Sequence, residues 1–242
     1  ICPSDKADFR MRMFNADASE GMMCGNGSRC IAKFVYDKGL TQKNPITLET
    51  LSGIKTIAMD VADGKVVSAT VDMGVPITDP SSIPMTWEKS ICLDETITVT
   101  VDGAPLSLRG TGVSMGNPHF VTFVEDVATA PVEKVGRVIE HSSYFPERVN
   151  VEFVEIVDDN HVKFRVWERG SGETLACGTG ACAVAYTAIT LGKAGRRDQF
   201  LTVEAVGGPL QLNYRSDGHM MMKGPAVTVY EGEMEIPDNI LK

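Results

Sequence analysis

Residues 14–39 and 167–192 are two versions of one segment, related by a shift of 153 positions without a gap. Each carries a cysteine in the same frame: Met23-Cys24-Gly25-Asn26-Gly27 in the first and Ala176-Cys177-Gly178-Thr179-Gly180 in the second. A glutamate precedes each cysteine by four residues (Glu20, Glu173), and a helix-like run follows each, through Tyr36 and Ile189. Further on, Thr47–Gly53 matches Thr202–Gly208 after a two-residue slip, and Asp63-Gly64 and Asp217-Gly218 occupy similar turn positions. A chain so doubled is constrained to fold as two like halves, each reading strand, glycine-rich loop, helix, then antiparallel strands.

Between the copies, Ile97–Val101, Leu106–Thr111, His119–Val124 and Glu152–Val157 read as further strands. Ala130–His141 reads as a helix with Pro131 in its first turn, and His161–Glu168 as a strand running into the second cysteine loop. Val75–Pro84 holds three prolines without periodicity and reads as a linker. The expected class is α+β, with two pseudo-symmetric domains, each a curved mixed or antiparallel sheet wrapped around a central helix. The halves are drawn at 1–77 with 225–242, and at 78–224. The cysteine helices are apolar nearly all round: Ala181–Ile189 has no charge and Ile31–Tyr36 only Lys33. Such helices are expected to be buried on every side.

The net charge of −9 argues against nucleic acid or an anionic membrane as partner, and no apolar run is long enough to span a bilayer. Six cysteines in 242 residues are too sparse for a disulfide scaffold, so the thiols are expected to be free, in a reducing compartment.

A helix N-terminus favours a thiolate, and glycines beside it let backbone N–H groups approach an anion. Cys24 and Cys177 each open such a turn. Two of these cradles facing one cleft can hold a carboxylate, with one sulfur on each side of its α-carbon. One thiolate and one thiol then invert that carbon without a cofactor, and the developing charge spreads onto the cradled carboxylate. Thiols titrating near neutrality suit this work. A buried inert cysteine is the commoner fate of a lone thiol, but two duplicated Cys-Gly-x-Gly frames weigh against it. Zinc is disfavoured because Cys30 and Cys182, six and five residues on, point to other helix faces. A Cys24–Cys177 disulfide would be an oxidation artefact, and Asn26-Gly27-Ser28 is a chance glycosylation triplet at a buried helix start. His119, in a turn before a strand, is placed to assist a thiol proton, and Glu168-Arg169 precedes the second loop, where Arg169 can clamp a carboxylate.

These motifs resemble those of the diaminopimelate epimerase family: Phe14–Glu20 with Met23–Cys30, Glu168–Gly180, Gly116-Asn117-Pro118-His119 and Val149-Asn150-Val151, in order and spacing along the whole chain. The resemblance implies an isomerase that interconverts LL- and meso-2,6-diaminopimelate in lysine and peptidoglycan-precursor synthesis. It implies no cofactor and no metal, a cytoplasmic location and a homodimer. By that likeness Cys24 and Cys177 are the acid–base pair, supported by His119 and Glu168. Gly25, Asn26, Gly178 and Thr179 cradle the reacting carboxylate, and Asn15, Asn117, Asn150, Glu168 and Arg169 hold the rest of the substrate. The same likeness implies about fifty residues before Ile1, with a Gly-Asn-Asp-Phe segment, strands of the first sheet and one wall of the site. Without them a weakened first half and little activity are expected. A two-cysteine racemase of proline, hydroxyproline or histidine is the rival, though such enzymes tend to show histidine where Asn26 stands. A non-catalytic binding protein is disfavoured by the retention of both thiols and both cradles.

Overall fold

The computed structural model of the protein describes residues 1–14, 18, 20–233 and 235. In chain order the elements are β1 (Phe9–Arg10), α1 (Gly25–Asp37), β2 (Ile46–Thr50), β3 (Gly53–Ala62), β4 (Lys65–Asp72), β5 (Glu95–Val101), β6 (Ala104–Ser114) and β7 (Pro118–Phe123). They continue with α2 (Val132–Glu140), β8 (Asn150–Asp158), β9 (His161–Glu168), β10 (Gly172–Thr174), α3 (Gly178–Thr190), β11 (Phe200–Ala205), β12 (Gly208–Tyr214) and β13 (Met220–Pro225). The class is α+β, as expected.

The strands form one continuous path, β1-β2-β3-β4-β13-β12-β11-β9-β8-β7-β6-β5, with β10 folded back on β9. Pairing is antiparallel except at β1/β2, β11/β9 and β7/β8. Strand β13 is the seam: it pairs with β12 on one side and with β4 on the other. Tight hairpins carry the chain between neighbours. The β3–β4 turn has Asp63 and Gly64 both at positive φ (51° and 73°), the left-handed pair that a two-residue turn needs to match strand twist.

The duplication is visible in detail. Helices α1 and α3 are both 13 residues long. Arg12 grips Glu20 through Nε and Nη2, and Arg165 grips Glu173 in the same way, so the glutamates upstream of the cysteines anchor their own loops. The Phe14–Glu20 bridge repeats the Trp167–Glu173 register of β9 and β10.

The principal core lies between the helices and the sheet, and includes Ala32, Val35, Ile46 and Leu48 from the first half with Ala181–Ala185, Leu201 and Leu212 from the second. A second core packs α2 on β5, β8 and β9, and includes Val132, Val135, Ile139, Phe120, Phe145 and Phe153. Helix α3 meets the expectation of all-round burial, since every residue from Gly180 to Ala188 is buried. Helix α1 does not: Cys30 and Phe34 are exposed. The reason is cover. Strands β6, β7 and β8 lie against α3, whereas α1 packs on β3, β4 and β13 and has no counterpart of those strands among the described residues. Pro131 caps α2 from just outside rather than within its first turn. No described helix is long and apolar enough to cross a membrane.

Candidate active site

Cys24 and Cys177 are the N-caps of α1 and α3, with almost the same backbone (φ −132°, ψ 113° and φ −126°, ψ 114°). Extended backbone at an N-cap turns the side chain over the first helical turn, where N–H groups lack intrahelical partners. Each sulfur takes such a donor: Gly27 N donates to Cys24 Sγ at 3.3 Å and Gly180 N to Cys177 Sγ at 3.4 Å.

The two loops face one another. A Cβ built on Gly25 would lie 2.4 Å from Met222 Cε, and one on Gly178 would lie 3.4 Å from Met222 Sδ and 3.5 Å from Asn26 Oδ1. Both cradles therefore rest on one methionine of the seam strand, and the side chain of the first reaches the backbone of the second. A side chain at 25 would press on the flexible ends of Met222 and Met73.

The surroundings of the two thiols differ. Cys24 is half-buried and Cys177 buried. Burial pushes the Cys177 thiol well up; Glu168 and Glu152 add to this, while Thr179 and the Gly180 N–H oppose it. This departs from the expectation of two thiols near neutrality: Cys177 is held as the neutral thiol. Thr179 Oγ1 lies 3.5 Å from its sulfur. Glu168, at the end of β9, hydrogen-bonds Thr174 Oγ1.

His119 on β7 is fully buried and stands beside Asn150 in the parallel β7/β8 register. Its Nδ1 contacts Glu152 Oε1 and its Nε2 lies 3.1 Å from Asn117 Oδ1. Glu152 comes close to the second cradle, for a Cβ on Gly180 would lie 2.8 Å from Oε1. Asn150, buried at the start of β8, accepts a hydrogen bond from Arg169 N at 2.7 Å. Arg169 is exposed, with Nη1 donating to Glu147 O. Asn117, His119, Asn150, Glu168 and Cys177 thus form one connected neighbourhood, and Asn26 joins it through Gly178. Asn15 lies outside the described residues. Among the described residues no group of three or more His, Cys, Asp or Glu is placed to hold a metal ion.

The family model for diaminopimelate epimerase matches residues 1–78 and 111–229. The chain belongs to the diaminopimelate epimerase family. It is 52% identical over 237 residues to the diaminopimelate epimerase of Methanococcus maripaludis strain C5, covering 98% of this chain and 83% of that one. It is 49% identical over 237 residues to that of Acetivibrio thermocellus (98% and 82%), and 48% identical over 232 residues to that of Bacillus subtilis (96% and 80%). Among solved structures, a probable proline racemase from Agrobacterium radiobacter superimposes with a TM-score of 0.71 at 15% identity, covering 94% of this chain and 72% of that one. A hydroxyproline epimerase from Agrobacterium vitis gives 0.68 at 16%, covering 93% and 70%. At such identities these two structures speak for the fold.

Three buried polar residues of this family member were not singled out in the sequence. Glu152 sits in the apolar run Val151–Val154, and a carboxylate in such a run is itself the sign of a buried, paired acid. Glu140, at the end of α2, accepts from Trp167 Nε1 (2.7 Å) and Gly170 N (3.0 Å), so it shapes the turn that follows Glu168-Arg169. Arg29 is buried on α1, where the duplicated segment carries Cys182. Only that break in the repeat marks it.

Proposed function

We propose that this protein interconverts LL- and meso-2,6-diaminopimelate by passing a proton across one α-carbon between Cys24 and Cys177. The observation that supports this most directly is the pair of cysteine N-caps with matching backbone, whose cradles converge on Met222 and Asn26.

The substrate's reacting carboxylate fits the N–H groups at the two helix starts, at Gly25-Asn26 and Gly178-Thr179, where the helix dipoles favour an anion. One sulfur, as thiolate, takes the α-proton. The C–H electron pair passes to the carboxylate, whose charge the cradles stabilise as it grows. The opposite thiol gives its proton to the other face of the carbon. The pair ends with thiol and thiolate exchanged, so protons balance and no oxidant is consumed. Cys177, buried beside two carboxyl groups, serves as the acid at rest. His119, held by Glu152, and Glu168 support proton exchange at the thiols. Asn15, Asn117, Asn150 and Arg169 take the distal amino acid end, with Asn150 acting partly by fixing the Arg169 backbone. We read the enzyme as a cytoplasmic homodimer that engages neither nucleic acid nor membrane, in keeping with its net charge of −9.

The test is turnover in deuterated water. Diaminopimelate should gain deuterium at the inverted α-carbon, and Cys24→Ala and Cys177→Ala should each abolish epimerisation. Exchange into proline or histidine but not diaminopimelate would transfer the assignment to the rival racemases.

A further inference from the structure

Arg29 is a buried cation, 7% exposed, on the first turns of α1. Its three contacts are all with uncharged groups. Nη1 donates to Asn26 Oδ1 at 3.0 Å and lies 3.9 Å from Met222 Sδ, and Nε donates to Pro225 O at 3.3 Å. Among the described residues no carboxylate stands within ion-pairing distance of it. The sheet makes room for it: a Cβ on Gly224 would lie 3.0 Å from Nε and 3.1 Å from Cζ. A guanidinium held out of water without a counter-ion is costly, and burial lowers the pKa of Arg29, the nearby thiols Cys30, Cys24 and Cys182 partly opposing.

Two consequences follow from this placement. An arginine has only donors to offer, so the Asn26 amide must turn its oxygen toward Nη1. That oxygen also lies 3.5 Å from a Cβ built on Gly178, and the amide nitrogen is left as the side chain's uncommitted donor. The missing counter-ion is supplied when a carboxylate settles between the helix starts, and the demand grows as that carboxylate gathers charge in the transition state.

We propose that Arg29 is a positioning residue for the epimerisation: it fixes Asn26 as a donor to the reacting carboxylate and is the buried counter-charge of that group. This rests on the functional reading above and adds a residue to it. Strand β13, which carries Pro225 and Met222, joins the two halves, so Arg29 also ties the first cradle to the seam.

The experiment compares Arg29→Met and Arg29→Lys with the parent protein, reading kcat, KM and Tm separately. Arg29→Met, neutral and of similar length, should lower kcat by about 10²-fold, with a smaller change in KM, because the lost interaction strengthens in the transition state. Arg29→Lys restores charge without the fork that orients Asn26, and should recover part of kcat at a Tm like that of Arg29→Met. A purely structural arginine would give two variants whose loss of activity follows their loss of Tm, and that result overturns the proposal. So does an Arg29→Met protein with the parent's kcat. A parent protein that exchanges no α-hydrogen of diaminopimelate would instead overturn the functional reading, and the inference with it.

Discussion

His119 Nδ1 lies 2.6 Å from Glu152 Oε1, and neither side chain has any solvent exposure. The carboxyl sets the plane of the imidazole at Nδ1, with Nε2 directed to Asn117. The other carboxyl oxygen, Oε2, has no hydrogen-bond partner among the described residues. His119 is thus the hydrogen-bond partner of Glu152 among the described residues, while the carboxyl also acts on Cys177 through space. Glu152→Gln keeps the shape and removes the titratable carboxyl. It should lower kcat by about 10²-fold, within the range that a positioned acid or base contributes. Glu152→Leu leaves Nδ1 buried without a partner and should also cost about 1–3 kcal/mol of stability, measured by urea unfolding.

The same pair carries a pH signature. Burial is the strongest influence on the Glu152 carboxyl and pushes it up, and His119 opposes that push. Removing the imidazole, as in His119→Leu, strips away the opposition. A carboxyl whose folded pKa lies above its unfolded value stabilises fully below the unfolded value, and that contribution is lost as pH rises through the folded one. The His119→Leu protein should lose unfolding free energy more steeply than the parent as pH rises above the ordinary carboxylate range. Urea midpoints over that rise decide it, and parallel curves would show that the imidazole does not shield the carboxyl.

The thiols should differ in reactivity. Cys177 is buried and its thiol is pushed well up by burial and by Glu168 and Glu152, so it lacks both access and thiolate. Cys24 is half-buried and Cys30 exposed. Brief treatment with iodoacetamide near neutral pH, followed by peptide mass analysis, should find Cys177 alkylated more slowly than Cys24 or Cys30. Faster labelling of Cys177 would contradict its description as the resting acid.

The loop that carries Glu168-Arg169 depends on α2, which ends 28 positions upstream of Glu168 and packs in the fold's second core. Gly136 lets Trp167 lie flat on that helix; a Cβ there would come 2.5 Å from Trp167 Cβ and 2.8 Å from Cγ, neither of which can swing aside. Trp167 in turn donates to Glu140, which also takes Gly170 N. Gly136→Ala gains about 1 kcal/mol of helix propensity but forces a backbone separation that costs about 1–3 kcal/mol or more. The net effect should be a lower Tm together with a raised KM, because the turn after Glu168 moves with the tryptophan. A variant with an unchanged KM would detach α2 from the site.

Much of this arrangement was legible in the sequence, for a physical reason. An N-cap cysteine followed by Gly-x-Gly is a local device, complete within five residues, and its repetition 153 positions later declared the symmetry of the fold. The hairpin turns and β9 were equally local. What periodicity could not give was cover. It marked α1 and α3 as equally apolar, yet only α3 is enclosed, because burial depends on strands that pack from elsewhere in the chain. Nor could it set the balance at the thiols. Glu152 reaches the second cradle from a strand 25 residues upstream of Cys177, and its effect on that thiol arises only once the sheet has closed.

The last consequence lies away from the cysteine pair. Cys92 is fully buried in the second core, against Gly112 and near Ile83 and Met85, and burial pushes its thiol from 9.0 to about 11. Because the folded pKa is the higher one, the neutral thiol contributes its full stabilisation below pH 9.0, and that contribution is lost as pH rises toward about 11. Cys177, Cys182 and Tyr186 are raised as well, so the parent protein should weaken steeply in this window. Cys92→Ala removes one of these contributions and leaves a small cavity. It should be less stable than the parent below pH 9.0, and its stability should decline less steeply between there and about pH 11. The slope is the decisive readout, since a cavity lowers the whole curve without tilting it. Equal slopes would mean that Cys92 ionises as easily in the folded chain as in the unfolded one, which its enclosure in the β5–β8 core forbids.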